Sequence, residues 1–249
     1  MRKMQYSGIC ERGMRDGVNQ DVIGMYPCGN RGMFFVSDGM GGHCAGEKAS
    51  GAIKAALAGW WQEYVAEDSL NFQEAIAQLR QLLADTHAAI QRDMADVGIC
   101  GATLVLLFIQ EDRYAALWSG DSRCYLLEQR FFHSSLRQLT IDDTWENHLA
   151  DGYTPEEMQR CPLFGKLLYA IGAGEEFSCH VQTGAIEGKA LFALCSDGVH
   201  KYIEKEQLHA AMRAALKKAD VEGGIRRLRD LVYERDAPDN LSCVLVEIL

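Results

Sequence analysis

The apolar pattern of this chain changes period several times, and the order of those changes limits the folds open to it. "MQYSGIC" (4–10), "DVIGMYP" (21–27) and "MFFVSD" (33–38) are short aromatic or β-branched runs bounded by Gly, Asn or Pro, which read as strands. From 45 to 67 the period becomes helical, with Ile53, Leu57, Trp60, Trp61 and Tyr64 on one stripe. Leu79, Leu82, Leu83, Thr86, Ile90 and Met94 mark a second helix, and both stripes read as core packing. Strands return at "GATLVLLFI" (101–109), "RYAALWS" (113–119) and "RCYLLEQ" (123–129), and residues 141–170 are irregular or weakly helical. "FSCHVQTG" (177–184) and "ALFALCSD" (190–197) are further strands, helices are expected over 204–218 and 221–234, and "NLSCVLVEIL" ends as a strand. Runs of strands split by a helix pair, without regular β-α alternation, predict an α+β layered domain of antiparallel sheets with helices outside.

No Pro/Ser-rich linker or solenoid repeat divides the 249 residues, so a single domain over 1–249 is expected. The N-terminal "MRKMQYSGIC" lacks an apolar h-region, and the longest apolar stretch, 102–109, is too short to span a bilayer. The expectation is therefore no signal peptide and no membrane partner. Nine dispersed cysteines without a CxxC pair read as reduced thiols in a cytoplasmic protein. A net charge of −10 repels a phosphate backbone, which argues against nucleic acid as a partner.

The glycine-rich "VSDGMGGHCAGEKAS" (36–50) invites a phosphate-binding reading, but it fails on spacing. A P-loop needs Gly-Lys-Ser/Thr closing the turn, and a dinucleotide loop needs a third glycine where Cys44 stands. "CYLLEQR" matches the Cys–five residues–Arg spacing of a cysteine phosphatase, yet it lacks glycines to turn amides onto phosphate, so Cys124 reads as structural. Zinc would need a compact His/Cys cluster; the 7 histidines are dispersed, and an adjacent pair such as His43–Cys44 reads as chance.

Carboxylates at strand ends are more informative. "FVSDG" (35–39) and "LCSDG" (194–198) repeat one design, an apolar strand followed by Ser-Asp-Gly. Asp121 in "SGDSR" and Asp239 in "APDNLSCVLV" sit at two more strand junctions, and "NQD" (19–21) heads another strand. Alone, each aspartate is an ordinary turn or cap residue. If they converge, they cannot all stay ionised without cations, and oxygen-only ligands favour Mg2+ or Mn2+ over zinc.

The ordered series "RDGVNQD", "VSDGMGGHCAGEKAS", "GATLVLL", "SGDSRCYLL", "LTIDDTW", "CSDGV" and "APDNLSCVLV" resembles the bacterial branch of the PP2C (PPM) metal-dependent serine/threonine protein phosphatases, from residue 6 to the C-terminus. The resemblance implies a four-layer α/β/β/α sandwich, two antiparallel sheets flanked by helices. It implies hydrolysis of phosphoserine and phosphothreonine on proteins by a hydroxide bridging two Mn2+ or Mg2+ ions, opposing a Ser/Thr kinase in bacterial signalling. Asp38 would bridge the ions, the Gly39 carbonyl would bind one, and Asp197 and Asp239 would hold the other. Gly39 would suit this because a missing Cβ lets its carbonyl approach an ion. Gly41 and Gly42 would shape the loop. The implied partners are phosphorylated proteins and, through shared targets, a cognate kinase, with the chain acting as a monomer.

Several positions depart from the family pattern. Arg15 is the residue expected to grip substrate phosphate, but "RDGVNQD" is one residue longer than the pattern, which leaves Arg12 as a fallback. Gln20 stands where relatives carry a glutamate, and Asp21 would supply the charge near the second ion instead. Asp121 matches a ligand of a third, weaker ion whose usual acidic partner is Lys201 here; lysine would either remove that ion or replace its charge. Met40 stands where animal relatives have a histidine proposed as general acid; His43, nearby, reads as a loop residue. Residues 141–170 match the family's variable flap, with Pro155 opening a short helix. Two other readings remain: a catalytically weak PP2C-like module that binds phosphoproteins, and a hydrolase of small phosphate esters.

Overall fold

In the computed structural model, which describes residues 3–41, 45–67, 69–96, 98, 100–130 and 133–249 (Arg130 and His133 by backbone alone), the chain opens with strands β1 (Met4–Glu11), β2 (Asp21–Cys28) and β3 (Arg31–Gly41). Helices α1 (Ala45–Glu67) and α2 (Phe72–Asp93) follow, then β4 (Cys100–Ala102), β5 (Leu104–Gln110), β6 (Arg113–Ser119), β7 (Arg123–Arg130) and β8 (His133–Gln138). Two short helices, α3 (Trp145–His148) and α4 (Pro155–Arg160), precede β9 (His180–Ala185) and β10 (Ala190–Cys195). The chain finishes with α5 (Asp197–His200), α6 (Lys205–Lys218), α7 (Val221–Tyr233) and β11 (Leu241–Ile248).

One antiparallel sheet has the order β1-β11-β10-β7-β8; the other has β2-β3-β5-β6-β9, with β4 paired to β3. Central strands are buried on both faces, which explains why β3 reads as an unbroken apolar run. Phe34 and Val36 meet Val105, Phe192, Val244 and Val246 between the sheets. Met33 and Phe35 face the other way, into a core shared with Ile53, Leu57, Trp60 and Leu79 of α1 and α2. Leu191, Ala193 and Leu245 pack in the same manner under Leu208, Met212, Leu228 and Val232 of α6 and α7. The result is the expected four-layer α/β/β/α sandwich. Among the described residues, eight cysteines are free, and no helix is long and apolar enough to cross a membrane.

Three differences from the sequence reading have local causes. "GATLVLLFI" is two strands broken at Thr103: its N–H still donates to the Asp38 carbonyl at 2.8 Å, but the return bond is lost because the Asp38 N–H goes to the Thr103 hydroxyl at 3.2 Å. β3 continues to Gly41, so Asp38 lies inside the strand and not in a turn after it. Edge strand β8 was not anticipated because "HSSLRQ" carries little apolar character to mark it.

Candidate metal centre

Asp21 and Asp38 face each other in the β2–β3 register, so two neighbouring strands set two carboxylates side by side. Directly opposed like charges oppose sheet pairing, and something must compensate for them. Thr103 fixes the second: its Oγ1 accepts the Asp38 N–H at 3.2 Å and lies 2.7 Å from the Ser122 hydroxyl. Ser37 Oγ donates to the Thr103 carbonyl at 2.6 Å. This network ties the Asp38 strand to the β6–β7 connection, where the chain passes from one sheet to the other and carries Asp121.

The other sheet delivers Asp197 and Asp239. Asp197 opens α5 directly after β10, and Asp239 precedes β11. Asn240 knits this corner, accepting the Gln20 N–H at 2.9 Å through Oδ1 and donating to the Arg12 carbonyl at 2.9 Å through Nδ2. Ser196 Oγ donates to Asp21 Oδ2 at 3.0 Å and accepts the Ser242 N–H at 3.1 Å.

Of the expected residues, Arg15, Asp38, Gly39, Asp121, Asp197 and Asp239 line one cleft at the end of the sandwich. Gln20 and Met40 share its wall. Asp21 is buried behind it at 4% exposure. Arg12 does not line the cleft, whereas Arg15 reaches in with Nη1 2.6 Å from Asp239 Oδ1. Gly42, His43 and Cys44 fall outside the described residues. Cys124 is fully buried on β7, and that burial pushes its thiol pKa far up, consistent with a structural role.

Electrostatics in the cleft are those of crowded anions. Burial raises the Asp38 pKa well above the ordinary carboxylate value, and Asp21, Asp197 and Asp121 add to the rise. Burial also pushes Asp21 and Asp121 up to about 6, with Asp197 contributing to both. Asp197 behaves oppositely: burial works against its charge, but the Lys201 ammonium at 2.7 Å outweighs it and lowers its pKa. The same ammonium lies 3.5 Å from Asp121 Oδ2, so Lys201 stands between the two carboxylates. Asp21 Oδ1 is buried with no hydrogen-bond partner among the described residues. An orphaned oxygen beside crowded aspartates is a donor set that fits hard divalent cations.

Gly39 has a packing reason beside the one anticipated. A Cβ there would lie 2.3 Å from the Gly46 carbonyl oxygen and 2.6 Å from that of Gln20. The glycine admits the start of α1 against β3, and that contact sets where its own carbonyl points. Thr103, Ser196 and Asn240 were not singled out from the sequence; each lies inside a quoted motif, and Ser196 and Asn240 adjoin residues that were. His200 was also missed: its Nε2 lies 2.9 Å from the Asp121 carbonyl, and burial lowers its pKa to about 4, so it supports that turn as a neutral ring.

Comparisons with known proteins agree with this geometry. Residues 13–233 match the family model described as protein phosphatase 2C. The serine/threonine protein phosphatase PstP of Mycobacterium tuberculosis is 28% identical over 248 residues, covering 99% of this chain and 45% of that protein. The serine/threonine phosphatase stp of Listeria monocytogenes is 28% identical over 242 residues, covering 91% of this chain and 94% of its own. This chain thus spans about half the length of the first relative and nearly all of the second. A solved structure of the PstP catalytic domain in complex with two manganese ions superposes with a TM-score of 0.80 at 27% identity, covering 100% of both chains. The chain belongs to the protein phosphatase 2C family.

Proposed function

We propose that this chain is a divalent-metal-dependent phosphatase of phosphoserine and phosphothreonine in proteins. The observation that carries the reading is the convergence of Asp38, Asp197, Asp239 and Arg15 on one cleft fed by both sheets. Further support comes from the family's relatives, named as serine/threonine phosphatases, and from the two manganese ions in the PstP structure. Asp38 would lie between two Mn2+ or Mg2+ ions, with the Gly39 carbonyl on one and Asp197 and Asp239 on the other; buried Asp21 would add charge behind them. When bound, such a pair of ions lowers the pKa of a water and neutralises phosphoryl oxygens.

The chain's own residues supply the rest. Arg15, whose guanidinium pairs with Asp239 here, would present a planar fork for two phosphate oxygens. Thr103 holds the Asp38 backbone from both sides, so the carboxylate arrives preorganised. Residues 141–170 form the flap that would choose the substrate. Arg123 and Asp142 anchor its start through a 2.7 Å ion pair, Leu167 reaches the cleft, and Leu149, Tyr153, Leu163 and Phe164 present exposed apolar surface. The finer reading is one domain over 1–249, acting as a cytoplasmic monomer opposite a Ser/Thr kinase on shared targets.

The test is Mn2+-dependent hydrolysis of p-nitrophenyl phosphate, a phosphothreonine peptide and a nucleotide by the intact chain. The expected ranking puts the peptide far above the nucleotide. A preference for the nucleotide would favour a small-ester hydrolase, and metal binding without turnover would favour a binding module.

Lys201 would stand in for a third ion, since its ammonium already spans Asp121 and Asp197. Lys201→Asp is therefore expected to raise the Mn2+ concentration for half-maximal activity by roughly 10-fold, the scale of outer-shell changes at metal sites. An unchanged Mn2+ titration would refute the substitution of charge for metal.

A further inference from the structure

The histidines look scattered in sequence, but the fold gathers two of them on one carboxylate outside the cleft. His148 ends α3, His180 opens β9, and both turn Nε2 toward Asp143 Oδ1, at 3.0 and 2.9 Å. The Asp143 side chain is completely buried, whereas the histidine side chains are 27% and 36% exposed. Despite these short distances, Oδ1 has no directed hydrogen bond among the described residues. The two imidazoles are not aligned as donors to it. Its partner oxygen, Oδ2, is held separately by the Gly120 N–H at 2.8 Å. Ser178 Oγ, 3.2 Å from His180 Nε2, completes the polar contacts. The three ligand atoms lie within 4.8 Å of one another.

Neighbouring rings support this arrangement. The Trp118 ring stacks on His180 at 5.2 Å, and Tyr169 meets His148 edge-on at 6.1 Å. One buried oxygen and the nitrogens of two partly exposed imidazoles thus converge. Two imidazoles and a carboxylate, with a fourth position left for water, form a donor set that suits zinc and related borderline ions. Tetrahedral zinc with ligands at about 2.0–2.2 Å holds neighbouring ligand atoms roughly 3.3 Å apart. The two nitrogen–oxygen distances, 3.0 and 2.9 Å, need to open by only a few tenths of an ångström, a movement that partly exposed imidazoles can make. Magnesium prefers oxygen ligands and is a poor occupant.

We propose that Asp143, His148 and His180 form a second metal centre, selective for zinc-like divalent ions, that staples the 141–170 segment to strand β9. Its setting gives it a consequence for the cleft. Asp143 and Gly120 exchange hydrogen bonds in both directions, at 2.8 and 3.0 Å, and the residue after Gly120 is Asp121. A metal on Asp143 fixes the turn from which Asp121 projects. The proposal stands on this cluster alone and does not depend on the phosphatase reading.

The test is metal retention by the intact chain in excess Mg2+, which occupies oxygen sites. After addition of Zn2+ and desalting, wild type is expected to keep one equivalent more than His148→Gln or His180→Gln. These substitutions keep a hydrogen-bonding side chain at half-exposed positions, and a matching melting curve verifies folding. Zinc affinity at this centre is expected to fall beyond the roughly 10–100-fold typical of outer-shell changes. Co2+ in place of Zn2+ is expected to give the intense visible bands of a four-coordinate ion in wild type, weakened in both variants. Asp239→Ala, which alters the cleft, is expected to leave this equivalent in place. The proposal is overturned if wild type retains no more zinc than the two histidine variants, or if Asp239→Ala loses the same equivalent.

Discussion

Asp38→Asn is expected to abolish Mn2+-dependent hydrolysis and, in chelator, to raise the melting temperature of the protein. Both effects follow from one buried carboxylate crowded by three others. Asparagine keeps the shape but cannot bridge two cations, so the activity loss is expected to exceed the roughly 10–100-fold seen when outer-shell residues at metal sites are changed. The stability gain arises because burial and neighbouring aspartates raise the folded-state pKa of Asp38. A raised carboxyl pKa makes ionisation cost stability as pH climbs from the unfolded value, about 3.9, through the folded one. The gain from Asp38→Asn is therefore largest at neutral pH and vanishes below about pH 4. At roughly 2–4 °C per kcal/mol for a chain of this size, relief of about 1 kcal/mol is readable in a thermal melt. With saturating Mn2+ the order reverses, because only wild type gains the linkage free energy of binding. Activity within tenfold of wild type, or a metal-free melting temperature below wild type at neutral pH, contradicts this account.

Sequence periodicity located most elements because each layer imposes its own repeat. The Ile53–Leu57–Trp60–Tyr64 stripe marks α1 because one helix face meets a sheet, and the run at 33–36 marks β3 because both its faces are covered. β8 escaped detection because an edge strand need not be apolar. Among site residues, the aspartates were legible as a repeated Ser-Asp-Gly and as junction residues, but their convergence is a property of the topology. Asp38 and Asp239 lie on different sheets, and nothing local announces that the β6–β7 crossing brings those sheets' ends together. Thr103 was hidden inside an apparent single strand, since what sets it apart is its hydroxyl accepting the Asp38 N–H, which leaves no mark on the apolar pattern. The choice between Arg15 and Arg12 turned on an extra residue in a loop; in the fold it is Arg15 that lines the cleft, 2.6 Å from Asp239. His148 and His180 are 32 positions apart, so spacing rules for metal ligands could not pair them.

Gly198→Ala is expected to lower both stability and Mn2+ affinity, more than its size suggests. A Cβ at 198 would sit 1.8 Å from the Asn240 carbonyl oxygen and 2.9 Å from its carbon, with backbone on both sides. Neither side can yield cheaply. Asn240 is held by hydrogen bonds to Gln20 and Arg12, and α5 is a single turn whose start is fixed by Ser196 on Ser242. Overpacking of this kind costs about 1–3 kcal/mol, or more where backbone must move. Relief requires separating α5 from the entry to β11, which also separates Asp197 from Asp239. Isothermal titration with Mn2+ and a thermal melt read the two losses independently. Gly59→Ala is the control: that glycine lies exposed on α1 with nothing within 4 Å of an added Cβ, so it is expected to gain about 0.5–1 kcal/mol. A Gly198→Ala protein that melts and binds Mn2+ like wild type would refute the packing argument. The two Ser-Asp-Gly segments then have one physical logic with different partners. Gly39 lets β3 touch Gly46 of α1, Gly198 lets α5 touch Asn240, and in each the preceding aspartate is aimed by a backbone contact that no larger residue permits.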